Sequence, residues 1–350
     1  MAGAGLTRDA PMSPEKTTTA TCKPARVSLP IADLLADIAD DLAQAARIFR
    51  TELRSDNPYV AELSSYVENF RGKQIRPALV LLSAQACGGI RPAHHVLAAV
   101  VEMVHIATLV HDDVLDEADL RRRTSTVSRR WGNESAVLLG DLLFSHAFRL
   151  CSSLDSQFAS QEIGRTAVAL CGGELRQVGT AGRLDLCEDE YFAIITGKTA
   201  SLIGTCCLLG AHYAGADSHI TRRLAAFGQS LGTAFQITDD LLDLVGDEGV
   251  VGKSLGRDVD KGKLTLPLIH ALRSAEPGRR AELLALLRSD TPDRHRAITR
   301  ILLQTESIAY AQQAAGRLVR EAVAMLDDLP ETPARATLCA MAQFVIARQR

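Results

Sequence analysis

The chain has 350 residues, of which 47% are apolar and 23% charged, with a formal net charge of -3. That is enough apolar material to bury a substantial core. The near-neutral balance excludes bulk attraction for nucleic acid, so a polyanionic ligand has to be met by a local cluster of Lys and Arg.

In chain order, residues 1–30 read as a disordered tail: they hold no apolar run fit for a secretory signal, and Asp9 and Glu15 sit poorly with a transit peptide. From Ile31 onward apolar residues recur at helical spacing, as in Leu34, Leu35, Ile38, Leu42, Ala45, Ala46 and Phe49. No proline falls between Pro92 and Pro267, while Pro58, Pro77, Pro277, Pro292 and Pro330 lie near expected element ends. These patterns predict helices over 31–54, 75–88, 93–117, 134–153, 161–180, 188–212, 218–245 and 265–275, with shorter ones to the C-terminus. Alternating β-branched runs bounded by Asn-Gly or Asp-Gly are missing and aromatic content is 4%, so a β domain is not expected. The prediction is an all-α protein, one large helical bundle over 31–350, interrupted by the Gly/Asp/Lys-rich loop 246–263.

The most apolar segment, Leu97 to Val110, carries Glu102 and His105, and no stretch reaches the length of uninterrupted apolar residues that spans a membrane. No transmembrane segment is expected. The eight cysteines form no Cys-x-x-Cys pair and read as buried free thiols of a reducing, cytoplasmic compartment.

Two carboxylate clusters stand out. In VHDDVLDEADLRRR, Asp112 and Asp116 lie one helical turn apart with Asp113 beside them. Like charges at the end of an apolar helix need a cation to offset them, and Mg²⁺ takes one or two carboxylates plus substrate phosphates. FQITDDLLDLVGD repeats the pattern: Asp239 and Asp243 lie one turn apart, and Gln236 and Asp240 share the adjoining strip. A single copy is weak evidence, because charged helix faces produce it by chance. Two copies, the first trailed by Arg121, Arg122 and Arg123 and the second by Lys253, Lys261 and Lys263, point to metal-bridged diphosphate.

Other residues have ordinary readings. Lys73 and Arg76 near a helix start would be solvated surface. His105 on an apolar face would be a satisfied core histidine, although it lies two helical turns before Asp112, on the metal-bearing side. His111, Met103, Cys206, Cys207 and Trp131 read as packing.

Over about residues 31 to 350 the chain resembles the trans-polyprenyl diphosphate synthase family, the head-to-tail isoprenyl elongators. The matching segments are GKQIRP at 72–77, EMVHIATLVHDDVLDEADLRR at 102–122, GD at 140–141, KT at 198–199, FQITDD at 235–240 and GKSLGRDVDKGKLTLPLIHAL at 252–272. The resemblance implies a helical bundle of isoprenoid synthase type around a central cavity, with the two aspartate motifs facing each other across its mouth. It implies that Asp112 and Asp116, with Asp239 opposite, hold Mg²⁺, roughly three ions once substrate is bound, and that Asp113, Asp240 and Asp243 support them. Arg121, Lys198, Thr199, Gln236, Lys253 and Lys263 would take further oxygens of the allylic diphosphate. Lys73, Arg76, His105 and Arg122 would hold isopentenyl diphosphate.

The implied reaction starts with loss of diphosphate from the allylic substrate, farnesyl or geranylgeranyl diphosphate. The double bond of isopentenyl diphosphate attacks the cation, and a proton leaves to the departing diphosphate. Electrostatic clamping and exclusion of water are the protein's main tasks. Short-chain members tend to place an aromatic residue one turn before the first motif, where this chain has Ala107 and Thr108, with Val104, Val101 and Val100 deeper. The expected product is therefore long, hexaprenyl to decaprenyl in class, for a menaquinone or ubiquinone side chain, released through a peripheral membrane contact. A short-chain (geranylgeranyl) synthase remains an alternative. A class I terpene cyclase is a poorer fit, since it needs no second diphosphate site; so is a non-catalytic subunit, which would tend to lose aspartates. Arg123 departs from the family's usual Gly. The family is commonly homodimeric, and a partner subunit stays open.

Overall fold

The computed structural model describes residues 31–121, 124–246, 255–291 and 293–347. The expected tail and Arg122, Arg123 and Lys253 lie outside the described residues. Helices run in order through α1 (Ile31–Leu34), α2 (Ala39–Glu52), α3 (Pro58–Tyr66), α4 (Ile75–Ala86), α5 (Pro92–Leu115), α6 (Val127–Trp131), α7 (Asn133–Ser152), α8 (Phe158–Thr180), α9 (Glu188–Ile195), α10 (Ser201–Ala214) and α11 (Ser218–Val245). They continue with α12 (Arg257–Asp260), α13 (Leu266–Ser274), α14 (Pro277–Leu287), α15 (Arg294–Gln304), α16 (Ser307–Met325) and α17 (Pro333–Ala347). The all-α expectation holds, with one addition: strands β1 (Leu120–Arg121) and β2 (Thr124–Ser125) pair antiparallel just after the first aspartate motif. A ribbon this short carries no periodic signal.

Three helix boundaries differ from the periodicity. Residues 31–54 are broken by a 3₁₀ turn at Ala36–Ile38. Pro58 opens a helix that the spacing missed; Asn57 caps it, its side chain accepting from the amides of Tyr59 at 3.0 Å and Val60 at 3.3 Å. This is N-cap chemistry followed by proline at the first helical position. The predicted 188–212 helix is interrupted by a π-turn at Thr196–Ala200, which re-aims the side chains of the KT pair.

The core has two parts. One gathers Phe49, Leu81, Val104, Leu143, Phe227 and their neighbours from α2, α4, α5, α7, α10 and the first half of α11. The other gathers Ile194, Ile237, Leu241, Leu266 and Ile301 from α9, the second half of α11 and the helices after it. Helix α11 belongs to both, so its C-terminal half carries the second aspartate motif to the junction. Helix α5 and the α9–α10 rod (Glu188–Ala214) are apolar and long enough to cross a membrane by composition, but most of each is buried inside the bundle. Their apolar faces are already covered by neighbouring helices.

Candidate active site

The first motif sits on the last turn of α5, where burial and charge make its three aspartates unequal. Asp113 is 1% exposed and is gripped by Arg121, whose Nε lies 2.9 Å from both carboxylate oxygens and whose Nη2 lies 2.8 Å from Oδ1. Such a fork is the strongest carboxylate pairing a protein makes. Arg121, expected to meet diphosphate, is thus held by Asp113 and braces β1 against α5. Asp116, at the helix end, receives Lys261 Nζ at 2.8 Å on Oδ2 and Lys263 Nζ at 3.3 Å on Oδ1. Burial alone would raise its pKa, but the hydrogen bond from Lys261 and the charges of Lys263 and Lys261 outweigh that and hold it below the usual carboxylate range. The Asp112 carboxylate makes no hydrogen bond or ion pair among the described residues. Burial, reinforced by the charge of Glu174, pushes it up to about 6 against the pull of Lys198 and Arg121.

The second motif lies on α11. Asp239 is exposed at the rim. Asp240 is buried and accepts from the Tyr191 hydroxyl at 2.6 Å and from Gln236 Nε2 at 2.8 Å. Gln236 Oε1 in turn accepts from Thr199 Oγ1 at 2.8 Å. Thr199 and Gln236, expected to touch diphosphate separately, form one relay that ends on Asp240. Asp243 caps α12, its carboxylate accepting from the amides of Arg257 at 3.3 Å and Asp258 at 3.0 Å. That cap fixes the return of the loop and brings in a carboxylate that the motif reading had passed over. Asp258 is half-buried, with Asp243, Lys263, Lys198 and Asp116 around it; desolvation raises its pKa first, and the neighbouring Asp243 adds to this. Asp240 is raised likewise, by burial and then by Asp258. Asp258 therefore stands between the two motifs.

Lys198 projects from the π-turn. Its Nζ donates to Gln177 Oε1 at 2.9 Å and pairs with Glu174 Oε2 at 3.2 Å, both on α8. Burial would lower its pKa, but Glu174 and Asp112 outweigh it and raise the value, so the ammonium stays charged. The turn approaches α8 so closely that a Cβ on Gly173 would lie 2.5 Å from the backbone nitrogen of Lys198. Glu174, Gln177, Tyr191 and Asp258 are the residues that motif reading missed. Only Asp258 lay inside a recognised segment.

The remaining expected residues lie on α4, on α5 and in the segment just before α4. Lys73 is exposed, its ammonium 5.3 Å from the Phe344 ring centroid. Arg76 on α4 and His105 on α5 are half-buried. Ala107 is fully buried and Thr108 half-buried, its hydroxyl donating to the His105 carbonyl at 2.8 Å. Val100, Val101 and Val104 line the same helix, fully buried. His111, read as packing, contacts the Val137 carbonyl at 3.1 Å, and its ring occupies the space where a side chain on Gly140 would fall, which explains the glycine of the GD pair.

A family model described as polyprenyl synthetase matches residues 57–302. The chain belongs to that family. It is 33% identical over 314 residues to octaprenyl diphosphate synthase of Escherichia coli K12, covering 89% of this chain and 97% of the relative. It is 36% identical over 331 residues to nonaprenyl diphosphate synthase of Mycobacterium tuberculosis, covering 93% and 97%. A polyprenyl synthase from Caulobacter crescentus CB15, solved with calcium and isoprenyl diphosphate, superposes with a TM-score of 0.87 at 31% identity, over 93% of this chain and all of that one. The polyprenyl synthetases depend on Mg²⁺ as a family, and the donor set here suits it. Among the described residues no three His, Cys, Asp or Glu side chains form a closed metal cage, whereas Asp112 is unpaired and Asp116 draws two ammonium groups. That is the arrangement for a hard cation that brings its remaining oxygen ligands with the substrate.

Proposed function

We propose that the chain is a Mg²⁺-dependent prenyltransferase that condenses isopentenyl diphosphate with farnesyl or geranylgeranyl diphosphate, making a long-chain all-trans polyprenyl diphosphate for quinone side chains. The observation that carries this is the meeting of Asp112, Asp116, Lys198, Asp258 and Lys263 between the two aspartate helices, an alternation of half-buried charge suited to a metal–diphosphate group. The octaprenyl and nonaprenyl relatives support the long product.

Asp112, Asp116 and Asp239 would hold roughly three Mg²⁺ ions with the allylic substrate. Bound there, the metal supplies the positive charge that makes diphosphate a leaving group. Lys198 and Lys263 add fixed ammonium charge where negative charge grows as the carbon–oxygen bond breaks, and being already oriented they need little reorganisation. Asp113 orients Arg121, and the Thr199–Gln236 relay with Tyr191 orients Asp240, so these act on the site through their partners. Lys73 just before α4, Arg76 on α4 and His105 on α5 would hold isopentenyl diphosphate so that it presents its double bond. The departing diphosphate takes the proton released after attack. The aliphatic wall of Val104, Val101 and Val100 keeps water from the cation and directs the growing tail past Ala107.

Incubating the protein with Mg²⁺, isopentenyl diphosphate and each allylic primer, followed by mass analysis, tests the reading. Linear chains of six to ten isoprene units, written as about 30 to 50 carbons, are expected for the long-chain class. Cyclic hydrocarbon or no condensation would overturn it.

The chain is further read as a homodimer. Leu138 on α7 and Val168 and Leu175 on the neighbouring α8 are 67%, 76% and 72% exposed, a stripe that a second copy covers with the same residues in a two-fold pairing. Light scattering should give a dimer for the native chain and a monomer for Leu175→Glu; a native monomer would sink this. The free cysteines among the described residues, four of them buried, support a cytoplasmic setting, which localisation by fractionation would check.

A further inference from the structure

Thr265 ends the lysine-bearing turn and occupies the N-cap position of α13, with extended backbone. A threonine there ordinarily turns its hydroxyl onto an amide of the first helical turn. Here the side chain makes no capping hydrogen bond. The residue is 3% exposed, and its Oγ1 has no hydrogen-bond partner among the described residues. It lines a cavity together with Lys198, Gln236, Asp240, Asp258 and Lys263.

A hydroxyl buried without a partner is a net cost to the folded chain, and an apolar group of the same shape would be the more stable choice. Its partner therefore belongs to a state in which something else is bound. The surroundings say what that is. Two ammonium groups share the cavity, and α13, nine residues long, directs the positive end of its dipole and its first-turn amides to the same place. Of the two carboxylates there, Asp240 is taken up by Tyr191 and Gln236, and Asp258 has the charges of Lys263 and Lys198 beside it. The missing partner is an anion rich in acceptor oxygens.

We propose that the Thr265 hydroxyl is a further binding residue for the substrate diphosphate, donating to one of its oxygens at the N-terminus of α13 beside Lys198 and Lys263. The inference rests on the prenyltransferase reading above and adds a neutral donor to a site otherwise built from charges. A neutral donor fixes the orientation of the diphosphate without adding charge that would slow its release.

The test compares full-length Thr265→Val, Thr265→Ala and Thr265→Ser with the native chain, by calorimetric binding of inorganic diphosphate with Mg²⁺ and by thermal melting without either. Valine is expected to melt at the native temperature or above it while binding diphosphate about tenfold more weakly, and serine to restore the affinity. The KM for the allylic substrate should rise in step, with kcat less affected. Alanine carries the same binding prediction should valine fit poorly. Native affinity in both the valine and alanine variants would overturn the proposal, and a lower melting temperature with unchanged binding would assign the hydroxyl to structure. Failure of the native chain to bind diphosphate would instead count against the functional reading itself.

Discussion

The Tyr191 hydroxyl donates to Asp240 Oδ2 at 2.6 Å, joining a buried phenol on α9 to the middle carboxylate of the second motif on α11. Burial and the Asp240 charge raise the phenol's pKa well above its ordinary value, so it remains a donor throughout the working pH range. Tyr191→Phe leaves Asp240 with Gln236 alone and should cost about 1–3 kcal/mol of stability. It should also raise the Mg²⁺ concentration needed for half-maximal condensation, because the ionised Asp240 loses support. Thermal melts and a Mg²⁺ titration read the two effects, and an unmoved Mg²⁺ dependence would show that Asp240 plays no part in holding the metal.

Gly173 is the point at which α8 meets the π-turn. A methyl group there would sit 2.5 Å from Lys198 N and 2.9 Å from Gly197 C, both backbone atoms that cannot swing aside. Gly173→Ala should therefore destabilise the fold by about 1–3 kcal/mol and displace Lys198 from Glu174 and Gln177. The expected kinetic signature is a fall in kcat larger than that caused by an alanine at Gly172, where the added methyl meets open space.

Asp112 gives the site a pH dependence of definite sign. Its pKa, about 6 in the fold, lies above the ordinary 3.8, chiefly because it is buried. The folded chain thus binds this proton more tightly than the unfolded one. The stability so contributed is fully present below the unfolded value and is lost as pH rises through about 6. Metal binding must expel the same proton, so the melting-temperature gain from Mg²⁺ with diphosphate should be larger near about pH 7.5 than near about pH 5.5. Calorimetry in buffers of different ionisation enthalpy should record proton release near pH 6. An equal gain at both pH values would exclude Asp112 as a ligand.

Ala107 tests the route of the growing chain. It is fully buried on α5, with Val104 about one turn deeper and also fully buried. Ala107→Phe should shorten the product, read by mass analysis, while leaving turnover of the first condensation within about tenfold of native. Overpacking will cost roughly 1–3 kcal/mol, so a melt is needed alongside. Unchanged product length would mean that the tail does not pass this side chain.

Much of the architecture was legible in the sequence because helical periodicity is a local property. The apolar spacing of Leu97 to Val110 and of α11 follows from the 3.6-residue turn whatever the neighbours are. Pro58 escaped that reading because its helix is marked by a cap and a proline, not by a long stripe, and Thr196–Ala200 because a π-turn inserts one residue without changing composition. The exposed stripe of Leu138, Val168 and Leu175 was also hidden, since apolar residues on a helix do not announce which face is covered.

The two aspartate motifs show where the division falls. Sequence alone determined that each places carboxylates one turn apart at the end of an apolar helix, that basic residues follow, and that this pattern belongs to a diphosphate-handling family. Tertiary structure decided what each carboxylate does: Asp113 is spent on Arg121, Asp116 draws Lys261 and Lys263 from about 147 positions away, Asp240 is held by Tyr191, and Asp112 alone is left unpaired among the described residues. Whether a carboxylate is buried, paired or open depends on charges brought together by long-range packing. Spacing along one helix carries no record of them.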